Sequence, residues 1–246
     1  MFGQPHRHLR TVASTNEVAH EWAHAGAPHG ALVTAEQQTA GRGRRGRAWS
    51  SPAGEGLYLS LILRPAMTAP QVSRCTILAS LATARAVEKQ TGLGTHTKWP
   101  NDVLLHGRKI GGILSEAHSE NGQVAFIVIG LGLNVNQESA DLPPRPIFPA
   151  SSLLLETGRA WPLETMRHAW LKEMHELWST HAAGGWDSLR QEFQNRCEGL
   201  GRMVTVTTES ATYQGVATGV DADGVLLVQT ASEVRRVLAG DVSFSG

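Results

Sequence analysis

The sequence predicts an α+β domain followed by a small all-β unit, and two observations carry this prediction. Up to about residue 198, apolar runs of strand length alternate with stretches that have helical apolar spacing. Residues 199–246 hold only short β-type runs separated by turn residues. A chain of 246 residues has room for one large and one small domain. We therefore expect domains at 1–198 and 199–246.

The larger domain is expected to begin with a helix that starts at Ser14-Thr15-Asn16 and ends at Gly26 and Pro28. A run of seven apolar and small residues at 57–63 predicts a buried strand, which Pro65 ends. Residues 143–149 contain four prolines and predict a surface loop. The other expected strands are 31–35, 95–98, 103–105 paired with 109–115 as a hairpin, and 124–131, and the other expected helices are 69–90, 163–180 and 185–197.

The smaller unit is expected to be a β-barrel of about 48 residues, because it has short strand signals and no helical pattern. Its expected strands are 203–207, 213–220, 225–230 and 233–238. The sequence Asp221-Ala222-Asp223-Gly224 predicts a turn between two of them.

The charge balance excludes some classes of function. Lys plus Arg is 22 and Asp plus Glu is 22, so the formal net charge is zero. A nucleic-acid coat protein or a polybasic membrane binder needs an excess of positive charge. No run reaches 18 apolar residues, and residues 1–10 have no apolar run behind their charges. We therefore expect neither a transmembrane helix nor a signal peptide.

The two cysteines, Cys75 and Cys197, are too far apart in sequence to form a zinc or redox motif. They are expected to be reduced structural thiols. This is typical of a reducing compartment and predicts a cytoplasmic protein.

The strongest local signal is the segment 41–47, Gly-Arg-Gly-Arg-Arg-Gly-Arg, called here the Gly-Arg loop. Glycine allows close approach to a ligand, and arginine supplies paired donors that suit phosphate and carboxylate. The segment is neither a Walker P-loop nor a dinucleotide fingerprint. Phosphate binding and a solvated or RNA-contacting basic loop both remain open from the residues alone.

A second signal is Lys98-Trp99-Pro100-Asn101-Asp102, followed by a segment from Arg108 to Glu116 that contains Lys109 and two glycines. A lysine on a strand beside glycines is suited to hold a carboxylate or a transferring phosphate. Asp102 is suited to Mg²⁺, which prefers one or two carboxylates together with ligand phosphates. The alternative is a hairpin with an ordinary polar turn.

Two weaker patterns need separate interpretation. The segment 130–136, Gly-Leu-Gly-Leu-Asn-Val-Asn, has small residues that leave room for a flat ligand and an Asn134 amide suited to an adenine edge. His20-Glu21-Trp22-Ala23-His24 matches the H-E-x-x-H pattern of zinc proteases. A catalytic zinc needs a third protein ligand, and Gly26-Ala27-Pro28 breaks the helix where an extension would follow. We therefore expect no zinc site.

Taken together, these motifs resemble the biotin protein ligases. The resemblance covers nearly the whole chain in order and spacing, and five segments together make it specific. One departure is Ala13, where the family often has Asp before Ser-Thr-Asn, which affects a local turn contact only. The matching segments are Ser14-Thr15-Asn16, Glu36 to Trp49 with the Gly-Arg loop, Lys98 to Asp102, Arg108 to Leu114, and Gly130 to Asn134.

The resemblance implies a mixed-sheet catalytic domain related to the class II aminoacyl-tRNA synthetases and lipoate ligases, with an SH3-like C-terminal barrel. Many bacterial relatives carry an N-terminal helix-turn-helix domain. Because Ser14-Thr15-Asn16 lies almost at the N-terminus, we expect the monofunctional class, which does not bind DNA. The implied reaction uses ATP, biotin and Mg²⁺. It forms biotinyl-5′-AMP and then biotinylates a lysine.

The resemblance also implies the site residues. Catalytic roles fall to Lys109, Arg44 and Asp102, and Asp102 is also the candidate Mg²⁺ ligand. Contacts to biotin are implied for Ser14, Thr15, Asn16, Gln38, Arg42, Gly43, Arg44, Lys109 and Gly112. Contacts to ATP or the adenylate are implied for Gly41, Arg42, Arg44, Arg45, Trp49, Lys98, Asn101 and Asn134.

The implied partner is the biotin carboxyl carrier protein of acetyl-CoA carboxylase or a related biotin-dependent carboxylase. No membrane partner is expected, and a homodimer through a sheet edge remains open. One alternative is a lipoate or octanoate ligase of the same fold, although the Gly-Arg loop and the Lys98–Asp102 segment fit biotin better. The other is a non-catalytic RNA-binding module, which the neutral net charge disfavours.

Overall fold

The structure is a computed structural model that describes residues 2–143 and 149–244. Its larger part is a seven-stranded mixed sheet in the order β1-β2-β3-β7-β6-β5-β4. Strands β1 and β2 are parallel, and every other neighbouring pair is antiparallel. The strands are β1 (His6–Val12), β2 (Leu32–Gln38), β3 (Gly56–Leu63), β4 (Thr95–Lys98), β5 (Asp102–Leu105), β6 (Arg108–Glu120) and β7 (Gln123–Asn134).

Helices cover both faces of this sheet. Helix α1 follows β1, α2 connects β3 to β4, and three more helices follow β7. Short 3-10 turns occur at Arg44–Gly46, Ala69–Gln71 and Ser139–Asp141. The helices are α1 (Thr15–His24), α2 (Val72–Thr91), α3 (Leu153–Thr157), α4 (Leu163–Ala182) and α5 (Trp186–Arg196).

Strand β3 is buried along its whole length because helices pack on both of its sides. Its odd-numbered leucines, such as Leu59 and Leu61, face α2 and α4 in the main core, while Ile62 faces α1 in a second core. Successive side chains of a strand point to opposite faces, so a strand between two layers has to be apolar on both. This explains why the apolar run at 57–63 predicts this strand correctly.

Helix α2 has local signals at both ends. Thr68 and Gln71 form a reciprocal capping arrangement before it, and Gly92, with φ of +76°, ends it. The sequence predicted a helix over 69–90. In the structure the first three of these residues form a 3-10 turn, and the α-helix extends one residue further, to Thr91.

The smaller part is a five-stranded antiparallel sheet in the order β11-β10-β9-β8-β12. It lies against the larger part near β4, where the Trp99 indole Nε1 donates to the carbonyl of Gly224 at 3.2 Å. Its strands are β8 (Met203–Thr207), β9 (Thr212–Val220), β10 (Leu226–Gln229), β11 (Val234–Val237) and β12 (Asp241–Phe244).

The predicted fold class is confirmed, and the structure adds three elements that the sequence patterns missed: β1, α3 and β12. The residues of β1 are mostly exposed and, among the described strands, it pairs with β2 alone, so it lacks the apolar alternation that marks a half-buried strand. Most of the proline-rich loop predicted at 143–149 lies outside the described residues. Within the described residues, no helix is long and apolar enough to cross a membrane.

Candidate active site

A cavity of about 680 Å³ opens where the start of α1, the Gly-Arg loop, the β4–β5 turn, β6 and β7 meet the smaller sheet. This size suits a ligand as large as a nucleotide conjugate. Fourteen of the sequence-predicted site residues line it: Ser14, Thr15, Asn16, Gln38, Arg42, Gly43, Arg44, Trp49, Lys98, Asn101, Asp102, Lys109, Gly112 and Asn134.

One wall of the cavity is a chain of neutral hydrogen bonds, called here the amide wall. The Gln38 side-chain oxygen accepts from the Thr15 backbone N–H at 2.9 Å and from its hydroxyl at 3.1 Å. The buried Ser60 hydroxyl lies 2.9 Å from Thr15 Oγ1 and 2.6 Å from Asn16 Oδ1. These groups present donors and acceptors without net charge, which suits a polar but uncharged ligand group.

The floor of the cavity is a pair of glycines on neighbouring strands, Gly112 on β6 and Gly132 on β7. The Trp49 indole lies on them. A Cβ at Gly132 would be 2.4 Å from this ring, and one at Gly112 would be 3.0 Å from it. Any side chain at Gly132 would therefore displace the indole. The Trp49 Nε1 is buried and has no partner among the described residues.

Beside this floor, Lys109 Nζ lies 2.6 Å from Asp102 Oδ1 and 5.4 Å from the centroid of the Trp49 ring. The register of β5 and β6 brings the two together, since Asp102 pairs with Gly112 and Leu104 pairs with Lys109. On the same strand, the carbonyl of Leu114 accepts from Asn16 Nδ2 of the amide wall at 3.3 Å, and the charge of Lys109 acts on Lys98 in the cationic part of the cavity. Lys109 therefore lies between the two parts of the cavity.

Lys98 is the most deeply buried cation of the site, with 7% of its surface exposed. The pKa of Lys98 is lowered to about 8, mainly because the group is buried; the nearby positive charge of Lys109 also lowers it, while Asp102 and Asp241 raise it. A buried lysine with a depressed pKa indicates a site that favours an anionic partner. Burial likewise lowers the pKa of Arg44, which also lines the cavity.

Two arginines of the Gly-Arg loop reach the smaller sheet. Arg45 Nη1 donates to Asp241 Oδ2 at 3.1 Å and to the carbonyl of Thr207 at 3.2 Å, and Arg47 also pairs with Asp241. Arg45 has a φ of +56°, a left-handed conformation in the middle of the loop. The loop is thus attached to β12 through a carboxylate that lies nearly 200 positions away in sequence.

Two predicted adenylate contacts are engaged with the main chain. Asn101 Nδ2 donates to the carbonyl of Ile113 at 2.8 Å, and Asn134 Nδ2 donates to the carbonyl of Ser151 at 2.9 Å. An amide carries two N–H donors and an acceptor oxygen, so one such bond does not use up its hydrogen-bonding capacity. Both side chains therefore shape the cavity as well as line it.

Two predicted residues, Gly41 and Arg45, are outside the cavity lining formed by the described residues. A Cβ at Gly41 would be 2.5 Å from the carbonyl oxygen of Trp49, so Gly41 permits a close backbone crossing. The cavity and its surroundings also contain residues that were not predicted as site residues, among them Gly132, Asp141, Asp241, Ser60 and Glu116. Gly132 and Glu116 lie within segments that the sequence patterns marked, and the apolar run at 57–63 marked the burial of Ser60, but no local pattern marked Asp141 or Asp241.

The H-E-x-x-H histidines pack as aromatic rings. His20 and His24 lie 5.1 Å and 4.9 Å from the centroid of the Phe126 ring, and His24 lies 4.5 Å from His118. In the described part of the chain, no group of three or more His, Cys, Asp or Glu is placed to hold a metal ion. The carboxylates on the cavity lining are Asp102, Asp141 and Asp241.

Fold and site together define a class. A mixed sheet that holds a neutral hydrogen-bonding wall next to a cationic half suits an enzyme that brings a small organic acid to a nucleotide phosphate. The lysine at their junction is where such an enzyme needs positive charge.

Comparisons with known proteins identify the family. Residues 9–134 match the Biotin/lipoate A/B protein ligase family, and residues 199–245 match the Biotin protein ligase C terminal domain. The Bifunctional ligase/repressor BirA of Bacillus spizizenii is 35% identical over 246 residues, 98% of this chain and 74% of that protein. The Biotin--[acetyl-CoA-carboxylase] ligase of Paracoccus denitrificans is 32% identical over 97% of this chain and 100% of that protein.

Among solved structures, the biotin protein ligase of Aquifex aeolicus in complex with biotin and ATP superposes with a TM-score of 0.82 at 28% identity. The match covers 98% of this chain and 99% of that chain. The chain belongs to the biotin protein ligase family and is a ligase, as the sequence motifs predicted. Since the C-terminal match is to a biotin protein ligase domain, the biotin interpretation is favoured over the lipoate alternative.

Proposed function

We propose that this enzyme joins biotin to one lysine of a biotin carboxyl carrier domain in two steps. In the first step, a carboxylate oxygen of biotin bonds to the α-phosphorus of ATP, and the bond to pyrophosphate breaks. In the second step, the neutral lysine amine attacks the carbonyl carbon of biotinyl-5′-AMP. AMP leaves with the bonding electrons, the amine loses a proton, and an amide remains.

One observation carries the proposal: a single cavity joins the amide wall to a cationic half through Lys109. Biotin has a polar, uncharged ureido ring at one end and a carboxylate at the other. The amide wall of Thr15, Asn16 and Gln38 matches the ring, with Ser14 beside it, and Lys109 stands where the carboxylate would meet the α-phosphate. The backbone near Gly112, where the small residue leaves room, would border the same ligand.

In this proposal Lys109 stabilises the negative charge that grows on the α-phosphate oxygens as the new bond forms. A cation held in place beforehand does this without reorganisation during the reaction. Its ion pair with Asp102 fixes the ammonium group at the junction. Asp102 would also orient the incoming lysine amine of the acceptor.

The triphosphate would lie along the cations of the other half of the cavity, Arg44 and Lys98, with Arg42 at the entrance of the loop. Trp49 and Asn134 would frame the nucleotide. Gly41 permits the close backbone crossing at the base of the loop, Gly43 lines the cavity, and Asn101 holds the β4–β5 turn that carries Asp102. Closure of the loop over the adenylate would exclude water from a hydrolysable anhydride.

Magnesium fits this site through Asp102, since the cavity offers few carboxylates and Mg²⁺ is commonly held by one or two of them together with ligand phosphates. When bound, the ion neutralises part of the triphosphate charge. Asp102 Oδ1 is engaged with Lys109, so Oδ2 is the oxygen that remains for such a contact.

The proposal extends to the organisation of the protein. Residues 1–198 would be the catalytic domain and residues 199–246 the SH3-like domain, which contributes Asp241 to the cavity. A cytoplasmic setting is supported by two free thiols. A homodimer would use one of the outer strands of the large sheet, β1 or β4.

The deciding experiment is transfer of labelled biotin to a biotin carboxyl carrier domain with ATP and Mg²⁺. We expect the label to appear on the acceptor domain. An acceptor whose target lysine is replaced by arginine should carry no label. ATP–pyrophosphate exchange run in parallel with biotin, lipoate and octanoate identifies the acid. Exchange with lipoate or octanoate and not with biotin would replace this function with the lipoate alternative.

A further inference from the structure

The carboxylate of Glu116 connects the amide wall to the Gly-Arg loop. Glu116 lies on β6, just outside the cavity lining formed by the described residues. Its Oε2 accepts a hydrogen bond from Asn16 Nδ2 at 2.7 Å and another from Arg42 Nη2 at 3.4 Å. The same oxygen atom therefore touches one residue of the wall and the first arginine of the loop.

The orientation of Asn16 is fixed on its other side. Ser60 Oγ donates to Asn16 Oδ1 at 2.6 Å, and a carboxylate only accepts hydrogen bonds, so the amide nitrogen has to face Glu116. Gly130 leaves the room for this arrangement, because a Cβ there would lie 2.2 Å from Asn16 Oδ1. A ligand that moves the Asn16 side chain therefore also changes its hydrogen bond to Glu116.

Arg42 is the residue at which the loop leaves the body of the protein. It forms an isolated β-bridge with Ala48, which closes the base of the loop. Its guanidinium has two carboxylate neighbours, Glu116 Oε2 at 3.4 Å and Glu17 Oε1 at 3.7 Å. Among the described residues, Glu116 is the one of these two carboxylates that also accepts a hydrogen bond from the amide wall.

We propose that Glu116 is a positioning residue that couples occupancy of the biotin pocket to the position of the Gly-Arg loop. Biotin bound at the amide wall fixes the position of the Asn16 side chain. Asn16 then fixes the position of the Glu116 carboxylate, and this carboxylate holds Arg42 in place. Coupling of this kind is reciprocal, so a nucleotide that draws Arg42 inward also tightens the pocket around biotin. This inference rests on the proposed function, since it takes biotin as the ligand of the amide wall.

The test compares Glu116→Gln with Glu17→Gln in the full-length enzyme. The two variants remove the same charge from a carboxylate next to Arg42, and only the first also alters the hydrogen bond to Asn16. Thermal melting of both confirms folding. The loop supplies its own probe, because trypsin cleaves after its arginines and any ligand that holds the loop slows cleavage.

For Glu116→Gln we expect the KM for biotin in ATP–pyrophosphate exchange to rise about tenfold, as for loss of a hydrogen bond to a charged group. Biotin alone should no longer slow trypsin cleavage of the loop, while kcat at saturation stays within about threefold, since both ligands then hold the loop. Glu17→Gln should change the KM by less than about twofold and keep the protection, because an exposed ion pair contributes little.

Two results would overturn the inference. One is a Glu116→Gln variant with the wild-type KM for biotin and wild-type protection of the loop. The other is an equal defect in Glu17→Gln, which would mean that charge beside Arg42 matters and the link to Asn16 does not. Wild-type enzyme without any biotin-dependent ATP–pyrophosphate exchange would instead contradict the proposed function. This control therefore distinguishes failure of the proposed function from failure of the coupling through Glu116.

Discussion

Replacement of Lys109 by alanine tests the chemistry at the junction of the cavity. Lys109 Nζ lies 2.6 Å from Asp102 and 5.4 Å from the Trp49 ring centroid, so alanine removes the cation without touching the amide wall. Loss of one preorganised group that stabilises transition-state charge costs about 10²–10³ in rate, or roughly 2.7–4 kcal/mol. We expect adenylate formation to fall by that factor.

The fold should tolerate this change. The side chains of Lys109 and Asp102 are 26% and 18% exposed, so their ion pair is partly screened by water. Such a pair contributes about 1 kcal/mol or less to the free energy of unfolding. For a chain of this size that is a fall in Tm of about 4 °C or less.

Single-turnover formation of labelled biotinyl-AMP measures the rate without the second step. Lys89→Ala is the matched control, since Lys89 pairs with the buried carboxylate of Glu173 on α4, away from the cavity lining. This variant should lose stability and keep its rate. A Lys109→Ala rate within about threefold of wild type, well below the 10²-fold loss of a preorganised donor, would refute the role given to Lys109.

Three further outcomes are expected. Arg44→Gly should release free biotinyl-AMP faster in the absence of acceptor, and tighter retention would contradict a closing loop. Because burial lowers the pKa of Lys98 to about 8, its charge is present below that pH and lost above it. The KM for ATP in exchange should therefore rise as the pH passes 8, and Lys98→Met should abolish this step; a flat wild-type profile would count against it. Asp241→Asn removes the partner of Arg45 and Arg47, so trypsin should cut the loop faster, and an unchanged cutting rate would rule out the attachment.

Most of the candidate site residues were identified from short motifs in the sequence. Residues with related chemistry lie within a few positions of each other in the Lys98–Asp102 turn and in the Gly-Arg loop. Lys109 likewise lies close in sequence to two glycines. The hairpin that follows is then enough to place Lys109 beside Asp102, because strand register fixes which side chains are neighbours. Short-range patterns therefore marked fourteen residues of the cavity lining, whose roles in binding and catalysis stay predictions.

Contacts between residues that are far apart in sequence could not be predicted in this way. Strand β1 has few apolar residues, because as an outer strand it pairs with β2 alone. Asp241 lies in a strand that no sequence pattern marked, and Glu116 ends a marked segment without having a predicted role; their arginine partners are 74 to 196 positions away. Nothing in a local window of sequence marks such a contact, since it depends on how the two sheets and α1 are packed.

The net charge of the chain is zero, and most of the positive charge of the Gly-Arg loop is likewise balanced by nearby carboxylates. Three of its four arginines are paired with carboxylates from distant elements: Arg42 with Glu116 and Glu17 at one end, Arg45 and Arg47 with Asp241 at the other. Each pair is partly exposed, so each contributes only about 1 kcal/mol or less. Pairs that weak hold the loop near the cavity and still give way to a triphosphate, which offers the same arginines a higher charge in one ligand. Arg44 lines the cavity, as Arg42 and Arg47 do, and it is the one loop arginine with no ion pair among the described residues, so ligand binding can begin there before any existing pair has to break.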